Sequence, residues 1–141
     1  MKPQTDPCKS EKLSLKSLVL QSKIISFVAT KKPELALKFY ADTLGLKLIT
    51  DDPFALVFDT NGTMLRVQKV ELLLPAGHTV LGWAVTDIAA TVGQLAKKGI
   101  RFERFNGLAQ DESGIWTAPS GAKVAWFKDP DGNILSLTQF R

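Results

Sequence analysis

Histidine and cysteine each occur once in the 141 residues. A lone Cys8 forms no intramolecular disulfide and no cysteine cluster for zinc, usage that fits a reducing, cytoplasmic setting. His78 alone cannot build the sites of two or three imidazoles that hold zinc, iron or nickel, and any Ser-His-Asp relay would have to pass through it. Long apolar runs are also missing. The best candidate, Leu13 to Leu20, is broken by Lys16 and follows a polar start, so neither a membrane span nor a secretory signal is expected. The surplus of Lys+Arg (18) over Asp+Glu (14) is spread along the chain without a basic run or an RNA-binding aromatic motif. It reads as a solvated basic surface, with no nucleic-acid partner and at most a weak steering field for anions.

What remains is an ordinary globular composition, 45% hydrophobic and 23% charged. A folded monomer of 15.4 kDa would expose about 7,000 Å² and bury roughly two-thirds of its surface, enough for one domain or two small modules sharing a core. The first 22 residues form an N-terminal extension, read as a tail or an added strand. From Lys23 the period becomes legible. KIISFVAT predicts a strand, and Pro33 opens a helix whose apolar positions Ala36, Leu37, Tyr40 and Leu44 recur at helical spacing before Gly45 stops it. LKLIT, FALVFD and TMLRVQKV predict three strands separated by DDP and NG turns. The order then repeats: TVLGWAV as a strand, a helix capped by Asp87 with Ile88, Val92, Leu95 and Ala96 buried, then IRFERF, GIWTA, KVAWF and NILSLTQ as strands. The helix-stopping glycines Gly45 and Gly99 lie 54 residues apart, which points to an internal duplication. The expectation is an α+β fold of two βαβββ modules, residues 23–74 and 79–140, whose mixed sheets curve into a cup with the helices outside.

Three segments carry a resemblance to a known family. PELALKFYADTLGL, TDIAATVGQLAKKGIRFE and KVAWFKDPDGNILSLTQF resemble the two helices and the terminal hairpin of vicinal oxygen chelate proteins, the group of glyoxalase I, bleomycin-resistance proteins and extradiol dioxygenases. The resemblance implies a cup-shaped paired-module domain, assembled as a homodimer. Metal-dependent members hold a divalent ion through four His or Glu side chains on cavity-facing strands. The corresponding positions here are Ile25, Met64 or Arg66, Val80 and Ser136, so no metal and no other cofactor is expected.

Strand alternation then nominates the cup's lining. With Leu65 and Val67 under a helix, Met64, Arg66 and Gln68 turn inward, and with Leu135 and Leu137 packed, Ser136 and Thr138 do the same. Trp116 and Phe127 are expected in the pocket, and Trp83 and Trp126 in the core. The stretch NGLAQDESGIW reads as a mobile lip over the cavity. Arg66 has two readings, a bidentate clamp for a ligand carboxylate, phosphate or enolate, or an ion pair with Asp59 or Glu103. The function expected from this lining is metal-free binding of a small organic ligand, anionic or aromatic. The alternatives are an enzyme of the same family, with a degenerate metal site or with Arg66 and His78 at work, and an interaction module whose cup its own side chains fill.

Overall fold

The computed structural model describes residues 14–141. A short helix α1 (Leu15–Leu20) precedes β1 (Ile25–Thr30), α2 (Pro33–Leu37), β2 (Lys47–Asp51), β3 (Ala55–Thr60) and β4 (Thr63–Lys69). The second half comprises β5 (Thr79–Ala84), α3 (Ile88–Lys97), β6 (Trp116–Thr117), β7 (Lys123–Lys128) and β8 (Ile134–Gln139). Two four-stranded mixed sheets result, ordered β1-β4-β3-β2 and β5-β8-β7-β6, each with one parallel pair at the strand that precedes its helix. The duplicated topology expected from the repeat is therefore present, and the fold is α+β.

Helix stops fall where expected, at Gly45 (φ 74°) and Gly99 (φ 94°), a left-handed conformation that glycine adopts without strain. α2 runs on as a π-helical turn over Lys38–Thr43, closed by the Leu44 N–H donating to the Phe39 carbonyl. The widened turn lets the sequence neighbours Phe39 and Tyr40 both point into the core. There Phe39 lies 6.2 Å from Phe127 of the second sheet, while Tyr40 lies 5.9 Å from Phe58 of the first. α2 thus bridges the modules, and one core runs from Leu65 and Val67 through Ile88 and Val92 to Leu135 and Leu137.

The turn between β7 and β8 forms a second bridge. Asp129 Oδ1 accepts the backbone N–H groups of Asp131 and Asn133 at 2.9 and 3.0 Å, and Oδ2 accepts the Tyr40 hydroxyl at 2.7 Å. Asn133 Nδ2 donates to the Ala29 carbonyl at 2.8 Å, and Asp131 takes the Thr30 hydroxyl and the Lys31 N–H. The DPDGN motif is accordingly a clasp between modules, with Asp129 and Asn133 buried and bonded to each other, to Tyr40 and to Ala29.

One expectation fails. IRFERF is not a strand: its one ladder-like bond is Glu103 N–H to the Trp126 carbonyl, and side chains hold the rest, Phe102 on Phe127 and Arg104 on loop carbonyls. The two-residue β6 takes its place at the sheet edge. The N-terminal extension, read as a tail or a strand, contains α1, capped by the Ser14 hydroxyl accepting the Ser17 N–H; residues 1–13 lie outside the described part.

Candidate functional site

Both sheets keep one face under the helices and leave the other free of them. On the first sheet the register pairs Ile25 with Met64, Phe27 with Arg66 and Ala29 with Gln68, and joins Arg66 to Val57 and Met64 to Asp59. With Leu65 and Val67 fully buried, alternation puts Met64, Arg66 and Gln68 on the helix-free face. The face is apolar and bare, with Ile25, Phe27 and Met64 exposed at 48, 50 and 40%. A cavity of about 420 Å³ opens on it, lined by Ile25, Ile49, Val57 and Met64 and rimmed by Lys47 and Asp59.

Arg66 is half-buried and makes no ion pair among the described residues. Its two expected partners are engaged elsewhere: Asp59 accepts the Gly62 N–H at 3.1 Å, and Glu103 pairs with Lys128 at 3.5 Å. Asp52 sits below the usual carboxylate range, chiefly because it accepts the N–H groups of Phe54 and Ala55, with a smaller contribution from the Arg66 charge.

On the second sheet the ladder aligns Trp126, Ser136 and Gly82, and beside them Trp116, Val124, Thr138 and Ala84. The Trp116 and Trp126 rings lie 6.1 Å apart at 33°, and Phe105 meets Trp126 edge-on at 5.3 Å, a continuous aromatic wall. Ser136 is 7% exposed, and since no buried side-chain oxygen among the described residues lacks a partner, its unpaired hydroxyl opens to the free face. Gly82 makes room for that hydroxyl, because a Cβ there would come within 2.5 Å of Ser136 Oγ.

Phe127 is a correction. It is fully buried under the helices, paired with Leu135, while Trp126, expected in the core, pairs with Ser136 on the helix-free face. The parity of Trp126 with Val124 holds, but the face is reversed. The signal was in the sequence: a turn closed between Asp129 and Asn133 sets Lys128 opposite Ile134, which puts Trp126 opposite Ser136. Trp83 does pack against the core, its indole N–H donating to Thr60 Oγ1 at 3.0 Å across the modules.

The stretch expected as a mobile lip carries its own hydrogen-bond network. Asp111 Oδ1 accepts from the Ser113 N–H, the Ser113 hydroxyl and the Ile115 N–H. Gln110 ties Phe105, Glu103 and Gly114 together, and Arg104 donates to the carbonyls of Asp111 and Glu112. His78 is exposed in the linker between the modules, with Nδ1 at 3.2 Å from the Ala76 carbonyl.

The positions that the resemblance aligns with the family's metal ligands offer a divalent ion no donor set. Ile25 and Met64 face each other across the ladder, Val80 is hydrocarbon, and Ser136 offers one neutral oxygen. Among the described residues no three His, Cys, Asp or Glu side chains gather into a metal-binding group.

Residues 23–137 match the profile of the Glyoxalase/Bleomycin resistance protein/Dioxygenase superfamily. Among solved structures, a glyoxalase family protein from Bacillus anthracis superposes with a TM-score of 0.68 at 19% identity, over 86% of this chain and 96% of that one. A lactoylglutathione lyase from Agrobacterium tumefaciens gives 0.65 at 16%, over 84% and 93%, and a superfamily member from Sphaerobacter thermophilus gives 0.67 at 24%, over 85% and 98%. No protein of curated function matches the chain. The duplicated sheets, the clasping hairpin and the profile match agree: the chain belongs to the glyoxalase/bleomycin resistance protein/dioxygenase superfamily.

Proposed function

We propose that the protein binds a planar organic anion, without a metal, between the helix-free faces of its sheets. The observation that supports this reading is the second-sheet wall, two tryptophan rings beside the hydroxyl of Ser136, a residue 7% exposed. Tryptophan faces favour flat apolar rings, and a hydroxyl opening on the same face offers one donor and one acceptor to a ligand laid against them. Arg66, half-buried and without an ion pair among the described residues, supplies the cation for a carboxylate or phosphate, with Met64 and Gln68 beside it and Thr138 flanking Ser136. The chain acts as a cytoplasmic binding protein that sequesters or senses the ligand, as a homodimer of the kind the family resemblance implies. No described helix is long and apolar enough to cross a membrane.

The test uses tryptophan fluorescence with 2-naphthoate as the probe. Saturable quenching, weakened at least about tenfold by Trp116→Ala and by Arg66→Met, is expected. Quenching that never saturates, or that both variants leave unchanged, would remove the reading.

A further inference from the structure

An Asn or Asp followed by Gly is prone to ring closure, because glycine puts no side chain between its backbone nitrogen and the neighbouring side-chain carbonyl. The chain has three such steps, Asn61-Gly62, Asn106-Gly107 and Asp131-Gly132. Their glycines share one backbone conformation, with φ of 89, 87 and 86°. What separates them is how the glycine nitrogen is held. The Gly62 N–H donates to Asp59 Oδ1 at 3.1 Å within the β3–β4 hairpin, and the Gly132 N–H donates to the Asp129 carbonyl at 3.0 Å within the clasp. Asp131 itself is committed to the Thr30 hydroxyl and the Lys31 N–H.

Asn106-Gly107 is different. Both residues are exposed, and among the described residues nothing accepts the Gly107 N–H and the Asn106 amide makes no hydrogen bond. The surroundings are open as well, since a Cβ at Gly107 would meet nothing within 4 Å. The turn is nonetheless tied at Phe105. The Phe105 N–H donates to Gln110 Oε1 at 2.8 Å, its carbonyl accepts the Leu108 N–H at 3.3 Å, and its ring meets Trp126 of the second-sheet wall at 5.3 Å. A change of backbone length or charge at residue 106 therefore acts on a residue of the aromatic wall.

We propose that Asn106 is a site of spontaneous covalent modification whose products alter the aromatic wall. The Gly107 nitrogen gives up its proton and bonds to the side-chain carbonyl carbon of Asn106, while the amide nitrogen takes a proton and leaves as ammonia. Water then opens the cyclic imide at either carbonyl, leaving aspartate, or isoaspartate with the chain running through the side-chain carbon. Both products place a carboxylate next to Phe105, and isoaspartate adds a backbone carbon to the turn that Leu108 closes. The effect on the ligand rests on the anion-binding reading above, because a like charge at the wall disfavours an anion.

The modification itself is measured without any ligand. Full-length protein is incubated at mildly alkaline pH, where the backbone nitrogen loses its proton more readily, and its tryptic peptides are weighed over time. Peptide 105–123 should gain the mass of an amide-to-acid change at least about tenfold faster than peptide 48–66, whose Asn61 step must first open a held turn. Asn106→Gln, with a side chain too long to close the same ring, should leave peptide 105–123 unchanged. Aged wild type should bind 2-naphthoate at least about threefold more weakly than fresh protein, and aged Asn106→Gln should match its fresh sample. Equal rates in the two peptides, or the faster change in 48–66, would overturn the proposal. Unchanged affinity in fully modified protein would remove the effect on the wall. Fresh protein that binds no 2-naphthoate would count against the ligand reading and leave the modification standing.

Discussion

The hydroxyl of Tyr40 donates a 2.7 Å hydrogen bond to Oδ2 of Asp129, 89 residues further along the chain. Burial pushes the phenol far above its ordinary value, and the negative charge of Asp129 pushes it the same way. The bond joins the π-helical turn of the first module to the terminal hairpin of the second, at the point where the two halves share their core.

Tyr40→Phe should therefore destabilise the protein by about 1–3 kcal/mol, because a buried carboxylate oxygen loses its strongest donor and keeps only the Asn133 amide. The sign of the pH dependence follows from the raised pKa. Below about pH 10 both the native and the unfolded phenol hold their proton; above it the unfolded chain alone ionises, so stability falls as pH rises. Tyr40 is the only tyrosine, so tyrosinate absorbance reports this group alone. It should appear together with unfolding and not before it. Smooth titration near pH 10 in a chain that remains folded would contradict the assignment.

Gly82 and Ser136 should be coupled. Gly82→Ala puts a Cβ against Ser136 Oγ and should cost about 1–3 kcal/mol, while the double variant with Ser136→Ala removes the clashing oxygen and should recover much of that loss. Denaturant unfolding of the four proteins measures the interaction. Additive losses would mean that the packing at Gly82 involves the backbone and not the hydroxyl.

The braced loop makes a prediction at low pH. Asp111 lies below the ordinary carboxylate range, first because it accepts the Ile115 N–H and then through its bonds with Ser113. The loop order it confers is complete above the ordinary aspartate pKa of about 3.9 and is lost as pH falls through the lowered native value. Asp111→Ala should increase amide exchange across residues 105–115 at neutral pH while leaving β7 and β8 protected. Unchanged exchange in the loop would show that Gln110 and Arg104 suffice.

The two neighbours on β7 should behave oppositely. Phe127→Ala removes a fully buried ring from the shared core and should cost about 3–5 kcal/mol. Trp126→Ala, on the helix-free face, should cost less stability and abolish most quenching by 2-naphthoate. Thermal melts and fluorescence titrations separate the two, and equal losses of stability would undo the face assignment.

Residues 126 and 127 also show how far the sequence could be read. The repeat, the helix stops and the alternation of β4 and β8 were legible because each rests on a local period, and Met64, Arg66 and Ser136 fall opposite the buried Leu65 and Leu135 as that period requires. β7 was not, since KVAWF is apolar on both faces and alternation alone cannot choose between them. Only the hairpin register set by Asp129 and Asn133 decides it. IRFERF failed for a different reason: its strand-like pattern is satisfied by Phe102 in the core and by Arg104 on loop carbonyls, with a single ladder-like bond. α1 was missed because six residues are too few for a helical period to stand out from a short apolar run.

The most direct test is a calorimetric titration of 2-naphthoate into wild-type protein and Arg66→Met, each with an excess of EDTA. The expected result is saturable binding to the wild type that the chelator leaves unchanged and that Arg66→Met weakens at least about tenfold. No binding to the wild type, or binding that returns only when a stoichiometric divalent ion is added, would contradict it.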